Sequence, residues 1–217
     1  FKFEPGQYAT LGLLNEAGKL IQRPMSIGSP AFRLDEYEFF IRLVPEGQFT
    51  PLLWATEVGD SISIKGPKGK FVLLDDGRKC LFVSTGTGLA PFISMIDTLR
   101  HEGKSREIYL LHGASYDYDL GYRDYLLKIA AAGDFPLTYV PTVSRPQHCP
   151  DWTGCTGRVD AILEAQMQQF GLNADNTTIY TCGNPDMVIN VENGAKRAGF
   201  HAEQVRKELY WPKGKKQ

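Results

Sequence analysis

The clearest apolar pattern in the chain is an unbroken run at Cys80–Val83 that leads into a glycine-rich turn. A continuous apolar run is typical of a strand that is buried on both faces of a sheet. After the turn, Pro91 suits the first turn of a helix, where its missing N–H costs no hydrogen bond. Apolar residues then follow helical spacing and form one stripe, made of Phe92, Ile93, Ile96 and Leu99. The pattern predicts a strand, a tight turn and a helix.

Short apolar segments separated by turn residues occupy the first third of the chain. They predict strands over Tyr8–Leu14, Ile21–Ile27, Glu36–Val44 and Ser61–Ile64, a short helix over Thr50–Thr56, and a turn at Gly66–Gly69. Several short strands with frequent turns are typical of a small antiparallel β-barrel.

From residue 79 onward, strand and helix patterns alternate. Further strands are predicted over Glu107–Leu111, Leu137–Val143 and Thr177–Cys182, and helices over Asp119–Ala131, Val159–Phe170 and Asp186–Ala198. Alternation of this kind predicts a parallel sheet covered by helices. The expected fold is therefore an antiparallel β-barrel domain over residues 1–76, followed by a Rossmann-like α/β domain over residues 77–217.

Composition excludes several classes of function. The chain has 24 Lys and Arg against 25 Asp and Glu, a net charge of −1, which does not indicate a nucleic-acid partner. No apolar run approaches the roughly 20 residues of a membrane-spanning helix. The chain begins at Phe1, in what looks like a strand already under way, and we expect that an N-terminal segment is missing.

The four cysteines show no spacing that is typical of a zinc or iron–sulfur site, so no metal is expected. Cys80 and Cys182 lie in apolar runs and are interpreted as reduced, buried thiols, which favours a cytoplasmic location. Cys149 and Cys155 flank a loop in which they would either pair or, as we favour, remain solvated thiols.

Glycines and polar residues follow several of the predicted parallel strands. Gly86 and Gly88 would let a flat or charged ligand approach the backbone at the start of a helix, although a tight strand-to-helix turn has the same appearance. Such positions recur at strand ends, in Gly86–Pro91, His112–Ser115, Thr142–Arg145 and Cys182–Pro185. The carboxyl ends of parallel strands share one edge of the sheet, which predicts a ligand site there. His112 itself is interpreted as a structural histidine.

Two segments of the predicted barrel carry candidate phosphate ligands. Arg23 ends a strand and would clamp a pyrophosphate, and Ser26 would hydrogen-bond a heterocycle. Gly47–Thr50 precedes a helix, where free amides and a hydroxyl would form a second cradle. The alternatives are an exposed arginine at a strand end and an ordinary helix start capped by Thr50.

Taken together, these segments resemble the ferredoxin–NADP⁺ reductase superfamily, most closely its bacterial ferredoxin/flavodoxin–NADP⁺ reductases. The matching motifs extend along the whole chain: Pro5–Tyr8, Arg23–Ser26, Val44–Thr50, Thr85–Pro91, His112-Gly113, Thr142–Arg145, Gly157-Arg158, Cys182–Met187 and Glu208–Trp211. The resemblance implies an FAD-dependent reductase that passes a hydride between NADP(H) and FAD and exchanges single electrons with ferredoxin or flavodoxin. A monomer is expected.

The resemblance also implies roles for individual residues. FAD would be bound by Arg23, Pro24, Met25, Ser26, Phe40, Ile41, Leu43, Gln48, Phe49, Thr50, Thr87, Tyr210 and Trp211. NADP(H) would be bound by Gly86, Thr87, Gly88, Ser115, Arg145, Arg158, Cys182, Gly183, Asn184 and Met187. Ser26, Cys182, Glu208 and Tyr210 would act at the reacting rings, where the protein orients the cofactors that carry the chemistry.

The chain departs from the family pattern at two positions. Met25 stands where the family commonly has Tyr, which removes one ring that would stack on the flavin. Electron-transfer subunits of dihydroorotate dehydrogenases have the same Arg-Pro-aliphatic-Ser box, although their cysteine cluster is absent here. Ser115 replaces an arginine that commonly meets the 2′-phosphate of NADPH. Arg145 is retained, so NADPH is the expected donor, whereas Asp117 would favour NADH.

Three functions are therefore weighed. The first is the ferredoxin or flavodoxin reductase. The second is a reductase that serves an oxygenase or reduces free flavin or quinone. The third is a non-catalytic module that senses nucleotides or assists assembly, against which the Arg23 and Gly47–Thr50 segments argue.

Overall fold

In a computed structural model of the protein, residues 1–210 are described. The strands are β1 (Tyr8–Leu14), β2 (Leu20–Ser26), β3 (Ser63–Lys68), β4 (Lys79–Thr85), β5 (Ile108–Ala114), β6 (Leu137–Val143), β7 (Cys155–Thr156), β8 (Thr177–Gly183) and β9 (Val205–Leu209). The helices are α1 (Thr50–Trp54), α2 (Ala90–His101), α3 (Arg123–Ala132), α4 (Val159–Gln169) and α5 (Pro185–Arg197). None of these helices is long and apolar enough to cross a membrane.

The chain divides into two compact units. The first comprises Phe1–Leu74 and Ala90–Thr98, and the second comprises Asp75–Leu89 and the residues from Leu99 onward. The first part of α2 thus packs within the first unit, where Ser94 Oγ donates to the Ser29 carbonyl at 2.7 Å.

The first unit contains a three-stranded antiparallel sheet in the order β2-β1-β3. Alternate residues of β1, among them Leu11 and Leu13, point into a core that also contains Ile21 and Phe49. This period of two is the reason why β1 and β2 are visible in the sequence. The antiparallel character of the barrel-like domain is confirmed.

The strand predicted over Glu36–Val44 is wrong, because the structure has no strand in this segment. The Glu38 carbonyl accepts hydrogen bonds from the amides of Gly28 and Ser29, at 2.7 and 3.4 Å. A single acceptor does not make a ladder, so the alternating apolar residues of this segment cover the core without joining a sheet.

The turn predicted at Gly66–Gly69 is also wrong in part, because β3 continues through Gly66 and Pro67 to Lys68. β3 is an edge strand, where the missing N–H of a proline removes no ladder hydrogen bond. The pairing with β1 shifts register between Tyr8 and Thr10, so the strand accommodates Gly66-Pro67 at an irregularity.

The second unit is a six-stranded parallel sheet in the order β7-β6-β5-β4-β8-β9. Successive strands add on one side of β4 as far as β7, and β8 then returns to its other side. This reversal creates a switch point at the carboxyl ends of β4 and β8, where open α/β sheets bind ligands. On one face, α4 and α5 pack their apolar residues on Leu81, Val83 and Ile179. The α/β prediction is confirmed.

Several element boundaries in the second unit differ from the prediction. β5 runs on past its predicted end at Leu111, because His112 and Gly113 both pair with β4 and β6. α3 begins at Arg123 rather than Asp119, since Tyr122 has a left-handed φ of 61° and a 3₁₀ turn occupies Asp117–Asp119. β7 and β9 were not predicted.

All four cysteines are free thiols, and Cys80 and Cys182 are buried as expected. Cys149 is buried too, so the expectation of a solvated loop thiol is wrong for it. Its sulfur lies 3.4 Å from the Asp117 amide and 3.7 Å from the Arg145 carbonyl. The thiol therefore links the loops that follow β5 and β6.

A polar network holds the amino-terminal edge of the parallel sheet. Asp76 accepts a hydrogen bond from Thr178 Oγ1 at 2.7 Å and forms an ion pair with Arg106. Arg78 donates to the carbonyls of Asp175 and Thr177 at 3.1 and 2.9 Å. Burial alone would raise the pKa of Asp76, but the Thr178 hydroxyl, the Arg78 amide and Arg106 together lower it. The carboxylate is thus stabilised in its charged form.

We expect Asp76→Asn to lower the free energy of unfolding at pH 7 by about 1.5–3 kcal/mol, the usual cost of a hydrogen-bonded charged partner. Because the folded-state pKa of Asp76 is lowered, this contribution is complete above the ordinary carboxyl pKa and is lost as the pH falls through the folded value. Urea unfolding at pH 7 and near pH 3 measures both effects. The control Glu102→Gln removes an exposed pair with Lys104 and should leave the free energy of unfolding nearly unchanged. Equal effects of the two substitutions would contradict the role of the network.

Candidate functional site

The turns that follow β4 and β8 pack backbone against backbone. β4 and β8 pair in parallel, with Ser84 opposite Cys182. A Cβ atom on Gly88 would lie 2.3 Å from the Cys182 carbonyl oxygen and 2.6 Å from Gly183 Cα. Only glycine permits this approach, so Gly88 is required by the contact between the turns.

Hydrogen bonds fix the same pair of turns. The Asn184 amide donates to Thr85 Oγ1 at 3.0 Å, which ties the start of α5 to the end of β4. The Asn184 side chain caps α5 by accepting from the amides of Asp186 and Met187 at 2.9 and 3.3 Å. Gly183 has φ +136°, and a Cβ there would meet Thr85 Oγ1 at 2.5 Å.

The outer side of the first turn is open. Gly86 has φ +51°, and a Cβ placed on it would meet nothing within 4 Å. Thr87 beside it is half-buried, and the turn is a 3₁₀ segment over Gly86–Leu89 that leads directly into α2. Backbone without side-chain cover at the end of a buried strand fits a phosphate or a flat ring.

Cys182, Glu208 and Tyr210 come together at the end of β8. Glu208 lies opposite Cys182 in the β8–β9 register, and the Tyr210 amide donates to the Gly183 carbonyl at 3.0 Å. Burial, with a smaller effect of Glu208, raises the pKa of the Cys182 thiol well above its usual value, although a hydrogen bond with Tyr210 opposes this. The thiol is therefore neutral at neutral pH.

His112 is fully buried in β5, with Nδ1 3.1 Å from the Tyr139 hydroxyl. Burial lowers its pKa to about 4, against the opposing effect of the Gly86 backbone. A neutral, buried ring beneath the turn is a supporting group rather than an exposed acid or base.

The loops after β5 and β6 carry the candidate 2′-phosphate ligands. The Arg145 amide donates to the Ser115 carbonyl at 3.0 Å, so the two residues are neighbours. Arg145 Nη1 donates to the Tyr116 hydroxyl at 2.7 Å, and Tyr116 stacks on Tyr118 with centroids 5.1 Å apart. Among residues 1–210, Arg145 has no carboxylate partner. An unpaired, exposed guanidinium in this position suits an anionic ligand.

Arg158 lies on the same edge of the sheet. The Gly157 amide donates to the Val143 carbonyl at 2.8 Å, which holds the residue before Arg158 beside the end of β6. Arg158 is half-exposed and precedes α4. It pairs with Asp160 through Nε at 3.1 Å.

In the first unit, the residues Arg23–Ser26 form the end of β2. Arg23 is partly exposed and donates to the Gln22 carbonyl at 2.6 Å, and it forms no ion pair within the described part of the chain. Met25 packs on the barrel core, Pro24 is exposed and Ser26 is buried. A cation without a carboxylate next to an apolar strand surface fits a pyrophosphate joined to a flat ring.

The other candidate FAD residues fall into two groups. Phe40 and Ile41 are half-buried, while Leu43 and Gln48 are exposed, so their side chains are accessible to a ligand. The Phe49 side chain is 1% exposed and belongs to the barrel core, so only its backbone is available. Thr50 does not cap α1, since Phe49 is the N-cap. The Thr50 hydroxyl instead accepts from the Val44 amide at 2.9 Å and donates to its carbonyl at 3.2 Å.

One NADP(H) candidate needs correction, and one FAD candidate lies outside the described residues. The Met187 side chain is fully buried in the core under α5, so it cannot contact a ligand directly. Trp211 lies outside the described residues. Sequence reasoning missed Thr85, Tyr116 and Asp160. Thr85 was detectable as the last residue of a strand before a glycine turn, whereas Tyr116 and Asp160 show their partners only in the folded chain.

Two sequence families match the chain in succession. The oxidoreductase FAD-binding domain matches residues 1–73, and the oxidoreductase NAD-binding domain matches residues 82–193. The two matches correspond to the barrel-like sheet and to the parallel sheet with its glycine turns.

Individual relatives agree with these families. The toluate 1,2-dioxygenase electron transfer component of Pseudomonas putida is 32% identical over 209 residues, which cover 93% of this chain and 58% of that protein. The chain therefore spans less than two thirds of this relative. The flavodoxin/ferredoxin–NADP reductase of Buchnera aphidicola is 29% identical over 224 residues, with 96% and 88% coverage.

The fold has a similarly close counterpart among solved structures. A ferredoxin NADP⁺ reductase from Neisseria gonorrhoeae, solved with bound FAD and NADP, superposes with a TM-score of 0.84. The match covers 96% of this chain and 87% of that one at 24% identity. At this identity the similarity establishes the shared fold.

We expect Gly88→Ala to disturb both stability and nucleotide binding, because the new Cβ would overlap the Cys182 carbonyl. Overpacking of this kind costs about 1–3 kcal/mol and would displace the turn. In the control Gly77→Ala the new Cβ meets nothing within 4 Å, and the φ of 66°, which Gly88 does not share, should cost about 1 kcal/mol. Urea unfolding and titration with NADP⁺ measure the two effects. Unchanged nucleotide affinity in Gly88→Ala would contradict the assignment of this turn.

Proposed function

The chain belongs to the ferredoxin reductase-like family of oxidoreductases, in which an FAD-binding domain precedes an NAD-binding domain, and we propose that it passes electrons from NADPH through FAD to a ferredoxin or flavodoxin. The observation that carries this proposal is the pair of contacting glycine turns at the switch point of the parallel sheet. The first turn leaves backbone open at Gly86, and β8–β9 pairing places Glu208 opposite Cys182 beside the second turn.

When bound, FAD would supply the chemistry that converts a two-electron hydride donor into a one-electron donor. The residues proposed to hold it are Arg23 for the phosphates and Met25 and Ser26 for the ring system. The backbone of Gln48–Thr50 would form a second phosphate contact, since the Thr50 hydroxyl is already bonded to Val44.

On the nucleotide side, the glycine turns would receive the nicotinamide half of NADPH. The Cys182 side chain is fully buried, so its backbone and that of Gly183 would line this end of the site, while the raised pKa keeps the thiol neutral. Glu208 and Tyr210 would orient this end of the site. Arg145 and Arg158 would meet the 2′-phosphate, a recognition that does not need an arginine at Ser115.

A reductase serving an oxygenase system is the second candidate. It is favoured by the 32% identity to the toluate dioxygenase component, which is close to the 29% identity to the Buchnera reductase. Both candidates use the same flavin and nucleotide chemistry, and they differ only in the protein that accepts the electrons.

Substituting Arg23 by Ala should weaken FAD binding by roughly 10- to 100-fold, as expected for loss of charged hydrogen bonds to a phosphate. The measurement is fluorescence titration of flavin-free protein with FAD. Lys19→Ala, in the hairpin before β2, is the matched control and should bind FAD as the parent does. Retention of parental affinity in Arg23→Ala would remove this residue from the phosphate site.

Anaerobic stopped-flow reduction of the FAD-loaded protein tests the function itself. The parent should bleach rapidly with NADPH and more slowly with NADH at equal concentration. Arg145→Ala should raise the KM for NADPH by about tenfold, the equivalent of about 1.4 kcal/mol, and leave the KM for NADH nearly unchanged. Arg197→Ala, an exposed arginine paired with Glu164, serves as the control. No bleaching with either nucleotide would overturn the proposed function, and equal effects on both would overturn the role of Arg145.

A further inference from the structure

In the part of the chain that the structure describes, Arg158 forms hydrogen bonds only through the Nε atom of its guanidinium. Its Nε lies 3.1 and 3.4 Å from the two carboxylate oxygens of Asp160. Among residues 1–210, the two terminal nitrogens of Arg158 make no hydrogen bond, and the side chain is 56% exposed. The guanidinium is thus fixed at its base and open at its end.

Asp160 is the less exposed member of the pair. Its side chain is only 8% exposed, and its Oδ2 also accepts from Asn190 Nδ2 at 2.7 Å. Asn190 lies on α5, whereas Asp160 is the second residue of α4. The carboxylate is therefore anchored by a second helix before it meets the arginine.

The Arg158–Asp160 pair lies beside the carboxyl end of β6. Gly157 is bonded to β6 at both of its backbone groups, since its amide donates to the Val143 carbonyl at 2.8 Å and its carbonyl accepts from Thr142 Oγ1 at 2.9 Å. Arg158 follows directly, and Arg145 follows β6 two residues after Val143. Both arginines thus extend from the same strand ends.

We propose that Asp160 is a positioning residue that holds Arg158 in the geometry required to bind the 2′-phosphate of NADPH. An arginine side chain loses considerable rotamer freedom when it binds a ligand, and a partner that orders it beforehand removes part of that cost. A carboxylate on Nε leaves the two terminal nitrogens parallel and unpaired, which is the arrangement that a phosphate accepts in bidentate fashion. The inference rests on the proposed use of NADPH.

Charge alone predicts the opposite effect, which makes the proposal testable. A carboxylate close to a phosphate site repels the phosphate, so removal of its charge would strengthen binding if Asp160 acted only through its field. If Asp160 acts by ordering Arg158, its removal must weaken binding. The sign of the change therefore separates the two roles.

The experiment is calorimetric titration of the FAD-loaded parent and Asp160→Asn with adenosine 2′,5′-bisphosphate and with adenosine 5′-monophosphate. We expect the Kd of the bisphosphate to rise by about fivefold in Asp160→Asn, or about 1 kcal/mol, and the Kd of the monophosphate to stay the same. Asn190→Ala should move the bisphosphate Kd in the same direction by a smaller factor. Tighter or unchanged binding of the bisphosphate would overturn the proposal.

A double substitution tests whether the effect passes through Arg158. In an Arg158→Ala background, Asp160→Asn should have no further effect on the bisphosphate Kd, because neighbouring residues that act as one unit are not additive. Full additivity would overturn the proposal. Glu164 lies on α4, as Asp160 does, and forms an exposed pair with Arg197 of α5, so Glu164→Gln is the matched control and should leave both Kd values unchanged.

Failure of this inference can be distinguished from failure of the proposed function. If the function is wrong, the parent shows no flavin reduction with either nucleotide and no preference for the bisphosphate. If only the inference is wrong, the parent prefers the bisphosphate and is reduced by NADPH, and Asp160→Asn keeps that preference. Circular dichroism and urea unfolding of Asp160→Asn confirm that a weaker Kd reflects the site rather than loss of fold.

Discussion

The parallel sheet can present a ligand site because the turns after β4 and β8 meet without side chains between them. The 2.3 Å separation that a Cβ on Gly88 would have from the Cys182 carbonyl shows how little space remains. This contact fixes the position of Asn184, which caps α5 and whose amide donates to Thr85 Oγ1. It also places Cys182, with Glu208 opposite on β9, at the outer end of the sheet. Each of these groups would move if the turns separated.

Elements with a clear apolar pattern could be predicted from the sequence, whereas strands that depend on pairing with a neighbouring strand could not. β1 and β6 follow the predicted bounds, Tyr8–Leu14 and Leu137–Val143, because both are short runs rich in apolar and β-branched residues. Glu36–Val44 has an equally good strand pattern but joins no strand ladder in the described residues. The opposite holds for β9 (Val205–Leu209), whose charged sequence conceals a strand that pairs with β8. An alternating apolar pattern shows which residues are buried, but a segment forms a strand only when its backbone also has a hydrogen-bonding neighbour.

The same distinction applies to the site. Glycine turns and strand-end residues were visible because a backbone requirement leaves a local signature in the sequence. Met187 and Phe49 were named through motif position, yet their side chains are buried in the core, since a motif records the chain path and not the direction of each side chain. Asp160 has no local signature, because its role arises from Arg158 on one side and Asn190 on another helix.

The arrangement separates the residues that serve the chemistry from those that choose the ligand. Gly88, Cys182 and Gly183 lie at the central strands, where the backbone contact leaves no freedom for substitution. Ser115, Arg145 and Arg158 follow strands β5, β6 and β7, with Ser115 partly buried and both arginines exposed, and changes in such loops cost little stability. Under the proposed function, changes at these positions would alter nucleotide preference and leave hydride transfer at the central strands unaffected. Arg145 and Arg158 are hydrogen-bonded to Tyr116 and Asp160, respectively. If the two arginines bind the 2′-phosphate as proposed, selectivity depends on the residues that orient them as well as on the arginines themselves.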